Sequence, residues 1–205
     1  MLSNNPGDVT EPSRNGRRRF VVAAVVAVLA VAMAIRFALP RSVDYSAVHA
    51  FNLGDELQED GHENRALTEM KKAVALKPGY FAAREALADL YDNAGDPADA
   101  MKTLEVGEQV APADRKRYEV LLAQTCLLNR QYALAEQHYR IARQLDPTDR
   151  QTWMAWALVF EREGRWRAAH SAWERFLKVF PNDASGLRGL NRAERHGKPS
   201  PGKEK

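Results

Sequence analysis

The residues of this 205-residue chain best suited to hold a metal or act as a nucleophile are one cysteine and five histidines. Their spacing favours neither role. Cys126 has no partner for an intrachain disulfide, and it sits where a helical pattern expects burial, so it reads as a structural thiol. His49, His62, His138, His170 and His196 are spread along the chain without the paired spacing that zinc requires. No Gly-rich phosphate loop, nucleophile elbow or paired-carboxylate constellation stands out. The expectation is therefore no catalytic residue, no cofactor, no metal and no enzyme activity. What remains is recognition. Four tryptophans crowd between residues 153 and 173. Trp156 and Trp173 occupy packing positions, whereas Trp153 and Trp166 are also open to a contact role.

The elements that must position such residues announce themselves through a returning proline. Pro78, Pro112, Pro147 and Pro181 are 34, 35 and 34 residues apart. Upstream of each stands a small residue, Ala66, Ala100, Ala135 and Ala169, followed four residues later by Met70, Leu104, Tyr139 and Trp173. A second small residue follows at Ala73, Gly107 and Ala142, but the fourth copy has Phe176 there. Further upstream the copies read Leu53-Gly54 with Leu57, Leu87-Ala88 with Tyr91, Leu122-Ala123 with Cys126, and Trp156-Ala157 with Phe160. The turn between helices carries Gly61, Gly95 and Gly164, and Arg130 in the third copy. Small residues let antiparallel helices approach closely, and each pair leaves an apolar face for the next to cover. A fixed period of this size means stacked supersecondary units.

These residues resemble the tetratricopeptide repeat over about two thirds of the chain. The resemblance implies an all-α, right-handed superhelical solenoid of about four helix pairs over 47–181, divided near 47–80, 81–114, 116–149 and 150–183. One extra residue near Arg115 falls between repeats and accounts for the single interval of 35. A capping helix over 184–196 should follow, with Leu187 and Leu190 on its apolar face, and then a disordered tail over 197–205. It further implies a concave groove lined by the first helix of each repeat. The groove residues would be Val48, Phe51, Asp55, Glu85, Asp89, Asp92, Arg117, Val120, Gln124, Met154, Leu158 and Arg162. The family's clamp for a chaperone's C-terminal carboxylate needs Lys and Asn where this chain has Phe51 and Asp55, so that partner class is not expected. An acidic first half and an apolar second half suit a basic peptide with a hydrophobic anchor.

The N-terminal forty residues differ in kind. Residues 1–19 read as a disordered, cytoplasmic tail ending in Arg17-Arg18-Arg19. Residues 20–39 form an apolar run of the length that spans a hydrocarbon core, roughly 30 Å. Its strongly apolar residues contribute about −5 kcal/mol to insertion, against about +2.5 kcal/mol for Arg36, which lies near the end and can snorkel. The expectation is one N-terminal transmembrane signal-anchor helix, with residues 40–46 as a linker. Ala32-Met33-Ala34 also has the form of a signal-peptidase site, and Arg17-Arg18-Arg19-Phe20 loosely fits a twin-arginine signal. Under all three readings the repeats lie beyond the inner membrane, in the periplasm or an equivalent extracytoplasmic space.

Charge follows the same division. Residues 1–40 hold five basic and two acidic groups, and residues 182–205 hold six and three. Of the totals of 30 and 27, this leaves 19 basic and 22 acidic groups on 41–181. A mildly acidic repeat array argues against nucleic acid as a partner. The expected function is a membrane-anchored scaffold that binds a protein or peptide for envelope complex assembly or chaperoning. Two alternatives stay open: a self-assembling structural module forming a homo-oligomer, and a regulatory accessory subunit of a membrane enzyme complex.

Overall fold

A computed structural model describes residues 44–197. The expected cytoplasmic tail, the membrane helix at 20–39 and residues 198–205 lie outside this range. Within it the chain is a succession of helices. The first, α1, is described over residues 44–59, so residues 44–46, expected as linker, are already helical. It is followed by α2 (Glu63–Leu76), α3 (Phe81–Asn93), α4 (Pro97–Val110), α5 (Arg115–Leu128), α6 (Tyr132–Leu145), α7 (Arg150–Glu163), α8 (Trp166–Val179) and α9 (Ala184–Gly197). A short 3-10 turn, Pro112–Asp114, takes up the extra residue before α5. Among the described residues no strand occurs, and no helix is long and apolar enough to cross a membrane.

Local chemistry sets the ends of the helices. Asp96 caps α4 by accepting from the Asp99 amide, with Pro97 in the first turn. Asp149 accepts from the amides of Gln151 and Thr152 at the start of α7. Asp183 accepts from Ser185 and Gly186 and also receives the two-pronged Arg150 guanidinium, which holds its carboxyl down at about 2. The turns inside each pair need a left-handed residue. Gly61, Gly95 and Gly164 have φ of 76°, 77° and 78°, and Arg130 adopts φ 57° at the equivalent position. A β-carbon at that angle is strained.

The repeated small residues form the close crossings. Ala66, Ala100, Ala135 and Ala169 are fully buried, as are Met70 and Leu104, with Tyr139 and Trp173 nearly so. At the second small position Gly107 leaves room for the Tyr118 ring, which a β-carbon there would strike. The fourth copy inverts the arrangement. Phe176 is buried, and the room it needs comes from Gly186 on α9, where an added β-carbon would sit 2.6 Å from its ring. Gly189 makes the same allowance for the Trp173 indole. Consequently α9 buries Gly186, Gly189 and Ala193, while Leu187, expected on its packed face, is exposed and Leu190 is half-buried against the core. Glu161 ties α9 down by accepting from Arg192 and from the Trp173 indole N–H.

The position six residues after a repeat proline serves as a latch in two copies. Arg84 donates from Nε to the Pro78 carbonyl at 2.7 Å and from Nη1 to the Thr103 carbonyl at 3.1 Å. Trp153 donates from Nε1 to the Pro147 carbonyl at 2.9 Å, and the Arg143 guanidinium lies over its ring at 3.6 Å. Trp153 therefore has a structural task, closing the loop between its repeat and the preceding one. Trp166 stacks on His196, joining α8 to the end of α9.

Two substitutions test this packing in opposite directions. Arg130→Gly should stabilise the protein by about 1 kcal/mol, because it removes β-carbon strain at a positive φ. Gly189→Ala should destabilise it by about 1–3 kcal/mol, because the Trp173 ring cannot yield without strain. Urea melts followed by helical circular dichroism would check both signs.

Candidate partner-binding face

The first helices α1, α3, α5 and α7 carry the sequence-expected groove residues, and the structure gathers most of these into two groups. The first group centres on α3. Glu85, Asp89 and Asp92 follow one another at helical spacing, so their side chains share a face. Partial desolvation raises all three carboxyls above the usual range; Asp89 adds to the rise at Glu85, and Asp92 to that at Asp89. Asp92 Oδ2 accepts from Thr125 Oγ1 at 2.7 Å, which works against the rise, while its Oδ1 is buried without a hydrogen-bond partner among the described residues. Arg117 borders the group, lowering the Glu85 carboxyl somewhat. Its guanidinium is stacked 3.4 Å over the Phe81 ring and paired with Asp114 at 3.2 Å. Arg117 is thus largely committed within the fold.

The second group surrounds a pocket of about 350 Å³ between α5 and α7. Leu127 and Leu128 from α5, Ala155 and Leu158 from α7, and Tyr139 from α6 give it apolar walls, with the exposed Gln124 and Arg162 beside them. Burial pushes the Tyr139 phenol up to about 12, partly offset by the Arg162 charge. Gln124, Leu158 and Arg162 belong to the expected set; Leu127, Leu128, Tyr139 and Ala155 do not. A sequence signal for the missed part exists at Leu128. It occupies the slot held by Glu59, Asn93 and Arg162 in the other copies, and is 67% exposed.

The other expected residues fall outside these two groups. Phe51 is half-buried, packing on the α1–α3 core and tilted against Tyr80 at 5.4 Å. Val48 and Asp55 are exposed on α1. Val120 and Met154 are half-buried against the large C-terminal core cluster, as Leu158 is, so these three serve packing as well as surface. Cys126 is fully buried, and burial, with Asp92 and Glu105 adding, pushes its thiol up to about 11. Among the described residues no group of His, Cys, Asp and Glu could hold a metal ion.

Residues 57–125 and 154–198 match two family profiles, both described as tetratricopeptide repeat. The chain carries tetratricopeptide repeats. Solved structures of similar fold include that of MamA, at 18% identity and TM-score 0.58, covering 74% of this chain and 82% of that one. A tetratricopeptide repeat protein from Parabacteroides merdae has 15% identity and TM-score 0.59, covering 74% and 59%. YrrB, described as a tetratricopeptide protein with an unusual peptide-binding site, has 17% identity and TM-score 0.53, covering 78% and 84%. At these identities the likeness speaks for the fold alone. No curated protein matches significantly. In this repeat array the two groups lie on first helices of successive repeats, acidic on the second and apolar between the third and fourth.

The acidic group carries a pH signature. A carboxyl whose pKa is raised on folding makes the charged folded state less stable, so the cost is present above the folded pKa and disappears as pH falls through it. Asp89→Asn should therefore raise the melting temperature at pH 7 by about 1–2 °C, an effect limited by solvent screening. At pH 3 the same substitution should change it little. Calorimetry at the two pH values would check the difference.

Proposed function

We propose that this protein is a non-enzymatic interaction scaffold that holds a partner protein or peptide along its first-helix face, for assembly or chaperoning of an envelope complex. The observation that carries the reading is the segregation of that face. Carboxylates gather on α3 although partial burial, and for Glu85 and Asp89 a neighbouring carboxylate, disfavours their charged forms, and an open apolar pocket lies two helices further on. Neither feature improves the fold, and both suit a segment with basic residues and an apolar anchor. The peptide-binding site named for YrrB is consistent with such a use of the fold.

Anchoring belongs to the same proposal. The apolar run at 20–39, preceded by Arg17-Arg18-Arg19, is the basis for a single membrane helix with the N-terminus in the cytoplasm and the repeats beyond the inner membrane.

Photocrosslinking in cells tests the proposal. A photoreactive residue in place of Gln124 or Asp89 should yield a discrete adduct with another protein, and one in place of the exposed Leu134 on α6 should not. Adducts of twice the chain mass would support the self-assembly alternative. Adducts from position 134 alone would overturn the groove. A reporter active only outside the cytoplasm, fused after Lys205, should be active; a cytoplasmic signal would overturn the topology.

A further inference from the structure

The pocket between α5 and α7 has a chemistry that the acidic α3 face does not share, and Arg162 decides it. Several other cations of the array are engaged in ion pairs: Arg165 with Glu136 and Glu163, Arg192 with Glu161, and Lys116 with Asp146 and Asp149. Those pairs also consume the carboxylates of α7. Glu161 is taken by Arg192 and the Trp173 indole, and Glu163 by Arg165. Arg162 has no ion pair among the described residues, and its charge partly offsets the rise at the buried Tyr139 phenol. Its place in the last turn of α7 suits the helix dipole, which accounts for a cation there. The dipole does not account for the apolar cavity beside it, or for Leu128 standing exposed in a slot that is polar in every other copy.

Resting on the groove reading above, we propose that this pocket is a subsite for an internal peptide segment in which a large apolar side chain lies next to an aspartate or glutamate. The apolar side chain enters between Leu127, Leu128, Leu158 and Tyr139. The carboxylate pairs with the Arg162 guanidinium, whose fork matches it, and Gln124 offers an amide N–H to the same group. A cavity of about 350 Å³ accommodates a leucine or aromatic side chain. The segment's basic residues extend toward Glu85 and Asp89. The partner is thus bipolar along its length, acid beside the apolar anchor and base away from it, which gives it one preferred direction in the groove.

A displayed library of random twelve-residue peptides, panned against the full-length chain in mild detergent, tests this directly. Against the unmodified protein, the selected peptides should share an aromatic residue or leucine adjacent to Asp or Glu. Against Arg162→Glu, Lys or Arg should replace the acid. A selected peptide, resynthesised with an amidated C-terminus so that only side-chain carboxylates remain, should bind about tenfold more weakly when its acid becomes the amide. Toward Arg162→Gln the same change should cost less than about twofold, since no charge pair remains to lose. Arg162 is exposed, so Arg162→Gln should lose only its contact with the helix dipole and lower the melting temperature by no more than about 2–4 °C; a larger loss would count against the surface placement. Selected peptides that lack the acid, or that bind Arg162→Gln unchanged, overturn the subsite. If such peptides still lose affinity to Asp89→Lys, the groove reading stands without it. A library that yields no binder, or binders indifferent to both positions, overturns the two readings together.

Discussion

Everything in this fold depends on how closely two antiparallel helices can approach. That distance is set by a single residue without bulk, Ala66, Ala100, Ala135 or Ala169, each fully buried at a crossing. With an alanine there, the same helix can place one large side chain four residues on, buried against its partner, and seal the pair. The next pair then covers what is left exposed. Because the constraint recurs every 34 or 35 residues, first and second helices alternate in succession along the chain. The acidic group lies on one of these first helices, α3, and the apolar pocket between two others, α5 and α7.

The constraint can be met from either side of the contact, and the last repeat shows it. Where the first three copies place a small residue, Phe176 is large, and the missing volume is supplied by Gly186 on the following helix. Gly189 does the same for Trp173. The C-terminal helix is therefore part of the core rather than a polar cover, fastened by the Arg150–Asp183 and Arg192–Glu161 pairs. A helix whose packed face is glycine and alanine is hard to read from hydrophobic pattern, and Leu187 misdirects such a reading.

Repeat spacing, crossing residues and turn positions were legible in the sequence because each is a local rule applied four times. Arg130 shows how far that legibility goes. It is a departure in the sequence, yet the backbone keeps the left-handed turn of the other copies, since stacking on both sides fixes the chain path. The site was legible only in outline. Helical period identifies which residues share a face, and it placed Glu85, Asp89 and Asp92 together. Whether Arg117 is free or stacked on Phe81 depends on a neighbouring helix, and that Trp153 latches a carbonyl depends on a loop. The pocket was missed because Leu127, Leu128 and Tyr139 come from two different helices, although an apolar residue in a polar slot marked one of its walls.

The most direct test of the close-crossing account is a comparison of two identical substitutions by urea unfolding of the full chain. Ala135→Leu puts extra carbons into a crossing with no free volume and should cost about 1–3 kcal/mol. Ala184→Leu, at the exposed start of α9, should change stability by less than about 0.5 kcal/mol. Equal losses at the two positions would contradict the claim that buried small residues set the architecture.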